Sequence, residues 1–244
     1  MYNTLKLVTL TLTVSTFTLL ASIAAEAPPA QANKGFTVTP KVTLDSGYTT
    51  RANHLGLQMQ KNSAFVSSSV SLQNDIVTPT LSSTYYIAGE NKSQIVVDGS
   101  LSKGLTLGPI TAVSYAGVQK RIIDGAFEDS FSAYAGMRFV KIPVLSVVAT
   151  PYVTVSRDFN YDLFGATIGL DRTFTIGKIE LTPRAEAFLF DKHTAYTAGG
   201  NLAYAGFKYV KPYVDVSYVT TDTALAGRKF EGNLSATAGV KMSF

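Results

Sequence analysis

From Leu234 to Phe244 the chain alternates. Leu234, Ala236, Ala238, Val240, Met242 and Phe244 form an apolar set, and Ser235, Thr237, Gly239, Lys241 and Ser243 stand between them. A repeat of two places one set on each face of a strand, whereas a 3.6-residue repeat would mix them. The segment predicts a strand with one apolar face, which fits a soluble sandwich as well as a sheet that faces lipid.

The same alternation recurs behind six prolines. TPKVTLDSGY from Thr39, TPTLSSTYYI from Thr78, GPITAVSYAG from Gly108, TPYVTVSRDF from Thr150, TPRAEAFLFD from Thr182 and KPYVDVSYVT from Lys211 each read as a proline opening a strand. Proline shares its parity with the apolar set: Pro40 with Val42 and Leu44, Pro151 with Val153 and Val155, Pro212 with Val214 and Val216. A proline removes a ladder hydrogen bond and is excluded from the middle of a sheet. Six prolines at strand entries, where a turn or water takes the orphaned carbonyl, resolve the conflict. About ten residues beyond each one suffice to cross a bilayer as a tilted strand.

Returning strands follow by alternation at 66–73, 95–102, 131–139, 164–171, 201–207 and 234–244. Six hairpins give about 12 strands. Connections before a proline read as mostly short, and those after the outgoing strands (51–62, 88–93, 120–129, 157–162, 191–196, 220–232) as longer and more polar. Short turns at one end and long loops at the other, with an even strand count, predict an all-β, transmembrane, antiparallel up-and-down β-barrel with both termini on the short-turn side, the periplasmic one. In hydrocarbon only a closed sheet pairs every backbone N–H and C=O with strands. A sandwich has no reason to sort its connections by length.

The N-terminal stretch carries Lys6, an uncharged apolar and Thr-rich run, then small residues and prolines. It reads as a secretory signal peptide over 1–32, cleaved after Ala30-Gln31-Ala32 or, alternatively, near Ser22-Ile23-Ala24. A single spanning helix is the competing reading, and no basic cluster follows the run to stop transfer. Export without a single Cys leaves the 33–244 domain to burial and hydrogen bonding. The net charge of +4 is scattered, which argues against nucleic acid as a partner.

Here the chain resembles known proteins. Val240, Met242 and Phe244 at alternate positions, ending on the aromatic, resemble the terminal-strand signature of Gram-negative outer-membrane β-barrel proteins. The resemblance implies that these three residues are the signal that the outer-membrane assembly machinery reads, and that outer-membrane lipid surrounds the barrel. The proline-led strands are similar in pattern to those of small porin-like members. Met242 stands where an aromatic is usual.

Opposite the apolar parity lie charged and hydroxyl side chains, which should face the interior because Arg or Lys at mid-depth in lipid costs about 2–4 kcal/mol. Lys41, Asp45, Asp98, Arg138, Arg184, Glu186 and Asp215 are the candidate pore-lining residues. They predict a passive, porin-like channel for small polar solutes, with no cofactor and no metal. Pairing of Arg184 with Glu186 or Glu180, and of Arg138 with a nearby Asp, is the competing reading: a plugged barrel that anchors surface loops for adhesion or for partner or phage binding. Catalysis is not expected, since His54 and His193 both fall in predicted loops and only Asp191 could orient His193. Tyr48, Tyr85, Tyr86, Phe159, Tyr161, Phe190, Tyr218 and Phe230 read as interfacial girdles.

Overall fold

A computed structural model describes residues 38–54, 57–87, 93–123, 129–221 and 233–244. The proposed signal peptide lies outside the described residues, as does Phe230. The described chain forms one closed, antiparallel, twelve-stranded barrel. Its strands are β1 (Thr39–His54), β2 (Leu57–Gln73), β3 (Thr78–Ile87), β4 (Gln94–Leu107), β5 (Ile110–Ile123) and β6 (Ser130–Lys141). They continue with β7 (Thr150–Asp158), β8 (Leu163–Asp171, resumed at Phe174–Ile176), β9 (Ile179–Phe190), β10 (His193–Tyr204), β11 (Val210–Thr221) and β12 (Asn233–Ser243). Each strand pairs with its chain neighbour, and β12 closes on β1 in the register Asp45↔Lys241 and Gly47↔Gly239. Phe244 extends the seam by exchanging backbone hydrogen bonds with Val42, and its ring stacks on Tyr209 at 6.0 Å.

Five of the six prolines hold their expected place. Pro40, Pro79 and Pro151 are second in β1, β3 and β7, and Pro212 is third in β11. Pro109 sits in a two-residue turn with Gly108, whose φ of 59° suits glycine. Pro183 departs from the pattern, because it lies inside β9. Opposite it β8 is interrupted at Arg172 and Thr173, while the register on either side (Arg184↔Asp171 and Leu181↔Phe174) is unbroken. Arg172 donates its N–H to the Pro183 carbonyl at 3.3 Å, and proline has no N–H to return.

The expected segregation of connections by length is only partly met. Segments 51–62 and 191–196, read as loops, are mostly strand: β1 and β2 stay paired out to His54↔Leu57, and β10 begins at His193 after Asp191 and Lys192. Polar composition misled here, since a hairpin that stands in water satisfies its backbone by cross-strand pairing whatever its side chains are. At the other end the 140–142 turn is a longer connection, 142–149, with a 3-10 turn at Leu145–Val147.

The outside is apolar. Leu81, Leu101, Phe164, Ile168, Leu202, Val214 and Leu234 are about half exposed to the surroundings, as lipid-facing positions require. Lys103, Lys120 and Arg157 share the outward parity near strand ends. Tyr48, Tyr85 and Tyr218 also point outward, but Tyr86 and Phe190 do not: their registers against Phe65 and His193 turn both inward.

Candidate functional site

Period two sends all seven predicted lining residues into the interior, and most of them are cross-linked there. Arg184 on β9 reaches over β10 to Asp215 on β11 through two bonds of 2.5 and 2.6 Å. Arg138 on β6 reaches over β7 to Asp171 on β8, its guanidinium 5.3 Å from the centre of the Tyr152 ring. Lys211 on β11 pairs with Glu180 on β9 at 2.8 Å. The expected partners of Arg184, Glu186 and Glu180, are therefore not its hydrogen-bond partners. Glu186 instead accepts from the Tyr152 hydroxyl.

Four tyrosines make the same kind of link. Tyr213 donates to Asp45, Tyr134 to Asp98 and Tyr152 to Glu186, while the Tyr115 and Thr154 hydroxyls share a bond of 2.5 Å. Each ring crosses the intervening strand at a glycine, in the pairs Tyr213↔Gly239, Tyr134↔Gly117, Tyr152↔Gly169 and Tyr115↔Gly136. A Cβ on Gly117 would stand 2.6 Å from the Tyr134 hydroxyl, and one on Gly169 2.2 Å from Cζ of Tyr152. The three bonds to carboxylates contribute about 1.5–3 kcal/mol each and the neutral Tyr115–Thr154 bond about 0.5–1.5 kcal/mol, so these links hold strands two apart in fixed relation.

The wall from β1 to β4 is built differently. Its inward positions include Ser67, Ser69 and Ser71 on β2, Thr80, Ser82 and Thr84 on β3, and Ser100 and Ser102 on β4. Thr84 donates to Ser67 at 2.8 Å. Among the described residues no link spans this wall as the others span theirs. Short hydroxyl side chains leave the space in front of them free, and Lys41, opposite Ser71, is the cation at its terminal end. Asp45 and Asp98 stand on the strands that bound it.

At the far end of the wall stands a group that the sequence reading missed. The sequence places Arg121 in a loop over 120–129, but β5 continues to Ile123 and turns Arg121 inward. The signal was present: Tyr115, Gly117, Gln119 and Arg121 share one parity. Arg121 is 5% exposed and Gln94, diagonal to it on β4, 1%. Phe65 and Tyr86 adjoin them, with ring centres 6.1 Å apart. Beyond the strands, Lys192 beside Asp162 holds that exposed carboxyl below the usual carboxylate range.

Of the two histidines, one is described with its side chain. His54 closes β1, and its side chain lies outside the described residues. His193 is turned inward and stacked on Phe190 at 5.2 Å. Asp191 accepts from the Phe164 N–H at 3.1 Å. No cluster of metal-ligating side chains occurs among the described residues.

A closed twelve-stranded barrel, apolar outside and polar within, has the fold of an outer-membrane porin. Solved structures bear this out. The barrel is similar to a KdgM porin solved in complex with disordered oligogalacturonate, with a TM-score of 0.55 at 15% identity over 84% of this chain and 99% of that one. It is similar also to the NanC porin, with a TM-score of 0.52 at 11% identity over 82% of this chain and 98% of that one. No family model matches the sequence. No curated protein matches it either.

Proposed function

We propose that the protein is an outer-membrane channel through which small polar solutes diffuse, with the termini on the periplasmic side. The observation that carries this reading is the division of the interior into two arcs. From β4 round through β12 to β1, tyrosine and arginine links fill the space between strands. Along β2 to β4 the inward positions between Lys41 and the Phe65–Tyr86 pair are mostly serines and threonines, which present hydroxyls to water and leave room for it. A plugged barrel would have no reason to keep one wall free of bulk.

This division separates the seven candidate residues by role. Lys41, Asp45 and Asp98 border the open wall and set its field, while Arg138, Arg184, Glu186 and Asp215 belong to the braced arc and fix its shape. Val240, Met242 and Phe244 point into lipid beside the closing seam, which suits a segment read before the barrel shuts.

The test is single-channel conductance of the refolded protein in a planar bilayer under a salt gradient. Discrete open levels, with a reversal potential that moves when Lys41 is replaced by Glu, are the expected result. A folded barrel that never conducts would overturn the channel and leave an anchor for surface loops.

A further inference from the structure

Charges outside the lumen are handled differently at the two ends of the barrel. At the outer end Lys120 has Asp129 at 3.6 Å, and Arg157 and Lys192 share Asp162 at 3.3 and 3.2 Å. At the periplasmic end Lys103, Lys178 and Lys208 have no carboxylate within ion-pair distance among the described residues. Glu180, two residues from Lys178, is turned inward to Lys211. Lys41, Lys141 and Lys241 also lack an ion pair, but their registers against Ser71, Thr111 and Asp45 turn them toward the lumen. Arg172 is unpaired too, at the break in β8 where the alternation assigns it to neither face.

Each of the three lysines stands among exposed apolar side chains. Lys103 shares the outward face of β4 with Leu101 and Leu105, one residue past Ser102, which faces the first proline-led pair of β3 at Thr78. That is the edge of the apolar band. Gly177 and Lys178 make the two-residue turn between Ile176 and Ile179, which are 73% and 47% exposed. Lys208 lies between Phe207 and Tyr209, 60% and 50% exposed, with Nζ 4.8 Å from the centre of the Tyr209 ring. A lysine stem lies along apolar surface while its ammonium reaches the polar layer beyond.

We propose that this end of the barrel binds the phosphate groups of anionic phospholipids in the inner leaflet of the outer membrane, one lipid at each of Lys103, Lys178 and Lys208. The inference goes beyond the channel reading and needs only the orientation given above, with the short turns on the periplasmic side. A cation at the headgroup layer beside an apolar side chain at the acyl boundary is the arrangement that an anionic lipid surface attracts. The outer end, where Asp129 and Asp162 stand beside the cations, offers a phosphate far less. The distribution of the three lysines selects the partner. An acidic protein would suit lysines gathered in one patch, whereas these are spread round the rim over β4, the β8–β9 turn and the β10–β11 turn, which suits several small ligands.

The experiment uses the refolded full barrel in detergent micelles with phosphatidylglycerol or, as the zwitterionic comparison, phosphatidylcholine of the same chains. Native mass spectrometry counts the lipids retained at each concentration. Phosphatidylglycerol should bind about fivefold tighter at each lysine, the equivalent of about 1 kcal/mol per lysine near an anionic surface. Lys103→Gln, Lys178→Gln and Lys208→Gln should each remove one preferred lipid, and the triple variant should bind the two lipids alike. Lys120→Gln, at the outer end, should leave the count unchanged. Heat-modified mobility on a gel checks that each variant folds, and the single variants stand in if the triple one does not. A parent barrel that treats the two lipids alike, or a preference that survives the triple variant, overturns the site. Displacement of the lipid by inorganic phosphate, but not by sodium chloride at equal ionic strength, would assign the lysines to a soluble anion and overturn the lipid reading as well.

Discussion

Gly169→Ala tests whether the tyrosine links hold the barrel. The added methyl would meet Cζ of Tyr152 at 2.2 Å, where ordinary contact begins at 3.4 Å, so the ring must retreat by at least about 1.2 Å. That displacement takes the hydroxyl off Glu186. Forcing a ring aside costs about 1–3 kcal/mol, and losing a bond to a carboxylate about 1.5–3 kcal/mol. Glu186 is half-buried and recovers part of the second loss from water, and alanine in a strand regains about 0.5–1 kcal/mol over glycine. The net expectation is a loss of about 2–4 kcal/mol. The assay is urea unfolding in lipid vesicles, followed by tyrosine fluorescence, since the chain has 13 Tyr and no Trp. In a Tyr152→Ala background the same change should be nearly neutral, because the clash has gone. Gly99→Ala, which meets nothing within 4 Å, is the control and should be neutral or slightly stabilising. If Gly169→Ala alone falls within about 0.5 kcal/mol of the parent, the links do not carry the load assigned to them.

Further predictions concern charge, acid and the seam. Arg184→Glu places an acid beside Asp171, Glu186 and Asp215; unfolding should show a loss on the order of 3 kcal/mol, and the reversal potential in a salt gradient should shift toward cations. Asp162 has its carboxyl lowered by Lys192 and Arg157. Its contribution is therefore full above the ordinary carboxylate range and is lost as pH falls through the lowered value. Carbon-detected NMR should find Asp162 titrating below a free aspartate, and Lys192→Ala should move it up. Phe244→Ala removes the stack on Tyr209, about 0.5–1.5 kcal/mol, and should slow the appearance of folded barrel in a gel-shift time course.

Strand parity was legible because lipid on one face and water on the other enforce a repeat of two, so Asp45, Asp98 and Arg184 could be turned inward from sequence. Strand ends were not legible where that constraint stops. Beyond the bilayer both faces meet water, polar residues suit strand and loop alike, and so 51–62, His193 and Arg121 were read as loop. Pairing was legible in kind but not in partner. Arg184 shares a strand with Glu186, yet its acid is Asp215, brought near by the register of β9, β10 and β11. The glycines opposite the tyrosines leave no periodic trace, because only the register shows which ring lies over which.

Links that skip a strand behave like diagonal ties in a frame. Tyr213, Arg184, Tyr152, Arg138, Tyr115 and Tyr134 tie β11 to β1, β9 to β11, β7 to β9, β6 to β8, β5 to β7 and β4 to β6. A barrel can change its bore by sliding strands past one another, and each tie resists the sliding of two neighbouring pairs at once. The compliant part of the cylinder is then the panel from β1 to β4. Current fluctuations should arise in that panel, and a disulfide bridging Ser69 and Ser82, each replaced by Cys, should quiet them, whereas extra ties in the braced arc should leave the noise unchanged.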